Sequence, residues 1–303
     1  MIRYLHLVLS ITVPILILCG CGILLKSFRK NVDSKLLADI SLFILAPALI
    51  FSALSESHLR GSNVLHIILF TIIMTAVSSL IARTASKLAH LPENTARALT
   101  LTTLFSNSNN YGLPVLLLAY GSRGFSLGAV YVIGQIILVN VLGMYLASRN
   151  QLSGRQAFQH ILKSPLIYAC IAGLIFSFTR LPIPGGADKA ILMLGSAYPT
   201  LVLIILGIKL AGTSFKGLRR KEVWLGIGLR LIAVPLAALA VLQLLKIHGL
   251  LAAVLFVETS MPAAINTVTL SEKFDGDTDT IALIVSVTTL LSFFYIPALV
   301  AIF

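Results

Sequence analysis

The chain has 303 residues, 57% hydrophobic and 11% charged, with a mean hydropathy of +0.97. Those values exclude a soluble globular domain, because the apolar stretches are too many and too long to be cores. The net charge of +12 does not mark a nucleic-acid binder, since Lys and Arg fall in short clusters between apolar runs and form no continuous basic face.

In chain order, hydropathy and breakers define ten spans: 5–25, 35–55, 64–89, 98–121, 125–147, 164–180, 188–212, 221–246, 249–273 and 279–302. The first carries Thr12 and Pro14, runs to Leu25 and offers no clear small-residue cleavage site, so it reads as a span rather than a leader. Cys19, Cys21 and Cys170 lie inside apolar segments without further ligands nearby, and no metal site is expected.

Span 4 contains Leu104-Phe-Ser-Asn107-Ser-Asn109-Asn110-Tyr-Gly112-Leu-Pro114. Amides inside hydrocarbon are costly unless bonded, and Gly112 with Pro114 argues against a continuous helix. Irregular backbone at membrane depth survives only where protein buries it or a wet cavity adjoins it. Asn107, Asn109 and Asn110 therefore either tie off free backbone groups at a break or line a site. Gln135 and Asn140 in span 5 are second-rank candidates, as are Thr288, Thr289 and Ser292 at matching places in span 10. Such side chains more often bond to backbone than to ligand.

A connector at 148–163 carries Ser153-Gly-Arg-Gln156, a capping-box pattern, with Phe158, Ile161 and Leu162 on one face. A short helix lying on the membrane surface is expected there. It joins a first unit, 1–147, to a second, 164–303.

Arg230 in span 8 and Glu258 in span 9 fall at similar depth. They form a structural ion pair, or else Glu258, beside Thr259, holds a coupling sodium ion or proton while Arg230 engages an anion. Around Pro262 the stretch Glu258-Thr259-Ser260-Met-Pro262 to Asn266 is the counterpart of the span 4 cluster. Asp275-x-Asp277-x-Asp279 lacks the Gly and bidentate Glu of a calcium loop and suits a helix N-terminus instead.

The prolines disclose a repeat. Pro14, Pro47 and Pro114 recur as Pro165, Pro199 and Pro262, at offsets of 151, 152 and 148 residues. Five spans per unit is an odd number, so the second unit enters from the opposite face. Inverted repeats with broken helices belong to secondary transporters, whose site lies near the midplane.

Three patches resemble the auxin efflux carrier family: Lys35-Leu-Leu-Ala-Asp39 through Pro47-Ala-Leu-Ile-Phe51; Asn107 to Pro114; and Ser260-Met-Pro262-Ala-Ala with Ser286-Val-Thr-Thr289-Leu-Leu-Ser292. The chain lacks a long central hydrophilic loop and is similar to the short bacterial members, the malate or malonate permease-like type. The resemblance implies an all-α integral membrane protein of ten helices in two inverted five-helix repeats, with helices 4 and 9 unwound at their prolines. It implies transport of a small organic anion by an elevator-like movement. A substrate site is then expected at Asn107, Asn109, Asn110, Gly112, Pro114, Ser260, Pro262, Asn266 and Arg230, and a coupling-ion site at Glu258 and Thr259. A fold-level resemblance to bile acid–sodium symporters, where a Glu near the helix 9 break helps hold sodium, favours the cation role for Glu258. Expected partners are the anion, the lipid bilayer and a second copy in a homodimer; no organic cofactor is expected. The alternatives are a non-transporting sensor on the same fold and an intramembrane enzyme, the latter lacking a base beside Glu258.

Basic residues set the orientation. With the N-terminus outside the cytoplasm, one set of connections holds sixteen Lys and Arg and the other six. Both termini are therefore expected outside the cytoplasm, in the inner membrane. Reporter fusions at Phe303 should be active only for the outer side; activity confined to the cytoplasm reverses the topology.

Overall fold

The computed structural model describes residues 2–29, 31–57, 61–139, 142, 162–213, 215–273 and 275–301. The expected surface helix at 153–161 and Asn140 lie outside the described residues. The protein is all-helical; among the described residues the one strand-like feature is a single bridge between Ser106 and Ala263.

The helices are α1 (Ile2–Phe28), α2 (Ser34–Ser55), α3 (Gly61–Leu88), α4 (Glu93–Leu104), α5 (Leu113–Leu138), α6 (Pro165–Thr179), α7 (Gly185–Ala211), α8 (Lys221–Leu244), α9 (Gly249–Ser260), α10 (Asn266–Lys273) and α11 (Thr278–Val300). Among the described residues seven segments are long and apolar enough to cross a membrane, and α6 and α9 are shorter apolar helices. This is an integral, multi-pass membrane protein. The expected spans 4 and 9 do not run through. Span 4 stops at Leu104 and resumes with a π turn at Ser108–Gly112; span 9 stops at Ser260 and resumes at Asn266. Spans 4 and 5 meet at Gly121, whose φ of 63° turns the chain inside α5. That left-handed geometry favours glycine.

Two sets of helices pack within themselves. In one, α7 runs along α1 and α2, and α2 along α6. Glycines bring these backbones together: Gly22 faces the Ile204 carbonyl, Gly207 the Cys19 carbonyl, and a methyl on Gly195 would lie 3.0 Å from the Leu49 Cα. Close approach at small residues is how membrane helices gain contact when lipid supplies no hydrophobic drive. Phe51 and Phe176 add an edge-to-face pair with centroids 5.3 Å apart. In the other set, α3 packs on α4, α5 and α8, while α9 packs on α5 and α8 and α11 on α4 and α8.

The prolines act differently from the expectation that they unwind helices 4 and 9. Pro47, Pro114 and Pro235 each follow a π turn, at Ser41–Leu45, Ser108–Gly112 and Leu229–Ala233. A proline ring pushes away the carbonyl four residues back and gives it no N–H. One wider turn relieves the clash, and an amide five residues on takes a carbonyl instead, as Leu113 does with Ser108. Pro114 is thus inside a resumed helix, and the break lies upstream at Phe105–Asn107. Only Pro262 sits in a break itself.

The packing yields a test. Gly22→Ala and Gly207→Ala should each lower the melting temperature by the equivalent of about 1–3 kcal/mol, the range for overpacking. Met193→Leu on the outer face of α7, where Met193 is exposed, should leave it unchanged.

Candidate functional site

The two breaks cross and pair. The Asn107 N–H donates to the Pro262 carbonyl at 2.8 Å, and the Ala264 N–H to the Phe105 carbonyl at 2.9 Å, in antiparallel fashion. A third tie comes from α11, where the Thr288 hydroxyl accepts the Ala263 N–H at 3.2 Å. Backbone released by unwinding is thereby satisfied without water, as it must be inside a membrane protein.

Arg230 closes the arrangement. It is 1% exposed within the π turn of α8. Its Nη1 donates to the Thr103 carbonyl at 2.9 Å, Nη2 to Thr259 at 2.6 Å and Nε to Met261 at 2.8 Å. Thr103 lies in the last turn of α4, Thr259 in the last turn of α9, and Met261 caps α9. One guanidinium therefore meets the carbonyl ends of both half-helices, where orphan acceptors and the negative end of the dipole favour a cation. The Arg230–Glu258 ion pair, one of the two readings the sequence leaves open, is not formed, and three Arg230 donors go to backbone carbonyls.

Glu258 is wholly buried, and neither carboxylate oxygen has a hydrogen-bond partner. Space for it is made by two glycines of α5 and the turn before it. A methyl built on Gly112 would collide with the carboxylate, and one on Gly128 would come within 3.1 Å of Oε1. Gly112 thus accommodates Glu258. Thr259 turns its hydroxyl to the Tyr131 hydroxyl at 3.3 Å, which also accepts from Gln135 Nε2 at 3.1 Å.

Two cavities flank the Asn109–Asn110 pair. The larger, about 290 Å3, includes Ser106, Asn107, Ser108, Gln135 and Asn266 in its lining. The smaller, about 80 Å3, adds Ser41, Tyr198 and Lys209 to Asn109, Asn110 and Asn266. Asn109 is held by Tyr198, whose hydroxyl donates to its carbonyl at 2.7 Å and lies 3.1 Å from its Oδ1. Asn109 Nδ2 in turn donates to Asn110 Oδ1 at 3.3 Å. Asn107 Nδ2 and Gln135 Oε1 are buried, line the larger cavity and have no protein partner. A third cavity of about 680 Å3 lies at the other end of the helices, beside Glu56, Arg123 and His248, and contains no residue of either break.

The structure thus brings Asn107, Asn109, Asn110, Gln135 and Asn266 to one cavity system, which Pro114, Ser260 and Pro262 do not line. Pro262 lends its carbonyl to the crossing, and the Ser260 carbonyl accepts from the Tyr295 hydroxyl at 2.8 Å. Thr289 and Ser292 bond back to Val285 and Thr289 carbonyls in their own helix. Ser106, Tyr131, Tyr198 and Lys209 were not among the sequence candidates. Tyr198 could have been found from its place beside Pro199, the repeat partner of Pro47; Lys209 reads from sequence as one more loop cation.

Comparison with known proteins agrees with this architecture. A family model described as membrane transport protein matches the chain twice, over residues 7–156 and 149–300, and the chain belongs to that family. The resemblance to auxin efflux carriers therefore holds. An uncharacterized transporter of Methanothermobacter thermautotrophicus is 28% identical over 290 residues, spanning 95% of each chain. An uncharacterized transporter of Methanocaldococcus jannaschii is 28% identical over 293 residues, spanning 92% of this chain and 93% of that one.

Arg230 and Glu258 can be separated experimentally. Arg230→Gln should lower the melting temperature strongly, because each orphaned buried carbonyl costs about 1–3 kcal/mol. Glu258→Gln should not, and the double variant should be no more stable than Arg230→Gln alone. Recovery in the double variant would show a structural ion pair.

Proposed function

We propose that the protein is a secondary transporter that carries a small organic anion across the inner membrane. The observation that carries this reading is the crossing of two broken helices beside a cavity lined by unpartnered buried amides. Each break leaves a helix N-terminus at the cavity, headed by Ser108 in one case and Asn266 in the other. Such ends offer N–H groups and partial positive charge to an anion. Asn107, Asn109, Asn110 and Asn266 supply further donors.

The ten-helix inverted repeat completes the reading. The double family match is what a duplicated unit produces, and the turn at Gly121 divides α5 into the second half of helix 4 and helix 5. Helices α1, α2, α6 and α7 form a static panel, and the remainder moves as the carriage of an elevator. The cavity system lies between α2 and α7 on one side and the crossing on the other. With both termini outside, the cavity opens to the cytoplasm.

Glu258 with Thr259 is the coupling element. A buried carboxylate with no donor must be neutralised by a proton or a cation, and the polar groups around it suit either.

Uptake into proteoliposomes decides the matter. Purified protein should accumulate carboxylates from a small panel, with dependence on sodium or a pH gradient. Asn110→Ala should cut uptake about tenfold, the loss of one to two hydrogen bonds. Glu258→Gln should fold normally and lose the ion dependence. Absence of any uptake by well-inserted protein would favour a sensor on the same fold.

A further inference from the structure

We propose that Lys209 is the residue that selects for the negative charge of the substrate, an inference that rests on the transporter reading and sharpens it. The lysine stands in the last turn of α7 and lines the smaller cavity with Asn109, Asn110, Asn266 and Tyr198. It is the only charged residue in that lining, and no carboxylate joins it. Among the described residues its ammonium makes no salt bridge within 4.0 Å and no hydrogen bond. The side chain is half-buried and lines a chamber whose wall joins the amides and the Tyr198 hydroxyl to aliphatic Leu42, Val202, Ile205 and Leu206.

The amides around it set orientation but not sign. An Asn side chain presents two donors and an acceptor, and Asn109 commits its Oδ1 to Tyr198 and one of its two Nδ2 hydrogens to Asn110. Without Lys209 the polar groups of the wall are neutral amides and hydroxyls, which would accept neutral amides and carboxylates alike. A lone ammonium at its wall breaks that tie in favour of an anion, because a charged partner strengthens a hydrogen bond roughly twofold. Its position on α7 matters too. Asn109, Asn110 and Asn266 belong to the crossing, so anion and cation would meet across the seam between the two helix sets.

The competing role is local. Glu272, exposed on α10, lies within electrostatic reach of Lys209. A lysine serving only that partner would affect stability and leave ligand choice alone.

The test measures discrimination. Lactate, succinate and benzoate are each compared with the matching neutral amide, by thermal shift of purified protein and by competition for uptake into proteoliposomes. Wild type should prefer each bound carboxylate over its amide by about tenfold, equivalent to roughly 1.4 kcal/mol. Lys209→Gln should bring the ratio near unity while leaving amide binding in place; Lys209→Arg should keep the preference. Should Lys209→Gln fail to fold, Lys209→Cys aminoethylated with a methanethiosulfonate reagent restores an ammonium, and the preference should return with it. A Lys209→Gln protein that still prefers carboxylates overturns the assignment and leaves the transporter reading standing. So does a Glu272→Gln, Lys209→Gln stability cycle showing coupling without change in preference. Wild-type protein that takes up and binds none of the panel overturns both.

Discussion

A guanidinium among three carbonyls ties the two broken helices to each other. Breaking two helices in the middle of a membrane protein exposes up to four acceptors at each carbonyl end, and a low-dielectric interior makes each orphan costly. Arg230 answers α4 and α9 at once, and its five fixed donors make it the side chain suited to do so. The backbone bridge between the breaks then follows, because Arg230 brings Thr103 and Met261 to one point and leaves Phe105–Asn107 beside Pro262–Ala264. A buried charge is tolerable only when compensated; here the compensation is the dipole ends of the helices it joins.

Against that satisfied half stands an unsatisfied one. Thr103, Asn107, Tyr111, Gln135, Glu258 and Ser260 all carry buried polar side-chain atoms with no protein partner, and all lie on the broken helices or on α5 beside them. Native interiors leave few such atoms, and each asks for an occupant. The carbonyls at the crossing are bonded, while Asn107 Nδ2 and Gln135 Oε1 at the larger cavity and the Glu258 carboxylate in its niche are not. The Gly112 position shows that the niche is built, since a side chain there would collide with the carboxylate, while one at Gly128 would first meet Leu116 and crowd Oε1.

Much of this was legible from residue types. Asn107 to Asn110 announced a break because amides do not sit idle in hydrocarbon, and Glu258 announced itself as an acid at midspan. Arg230 was read at the right depth with two roles left open, an ion pair with Glu258 or an anion contact; the pair is not formed, and sequence does not reveal the released carbonyls that take its donors. The prolines misled in a similar way. Pro114 marks a widened turn rather than the break, because a π turn absorbs its clash and hydropathy patterns carry no trace of that. Tyr198 and Lys209 were missed because both come from the other half of the chain, and only packing of α7 against the crossing brings them to Asn109.

How the two sets of helices meet bears on the proposed elevator movement. Arg230, the bridge and Thr288 all belong to the α3–α5 and α8–α11 set, so the bonds that fix the crossing travel with it. Bonds across to the neighbouring set or its flanking turn are made by hydroxyls: Tyr198 with Asn109, Ser126 with the Ala53 carbonyl, and Ser286 with Thr213. Neutral hydrogen bonds contribute about 1 kcal/mol each net, and Lys209 of α7 and Glu272 of α10, which face one another across the seam, make no salt bridge within 4.0 Å. The bonds that fix the crossing are therefore internal to one set, and the hydrogen bonds that reach its neighbour are neutral. On the proposed elevator movement, sliding would break the bond of Tyr198 to Asn109 at the wall of the smaller cavity.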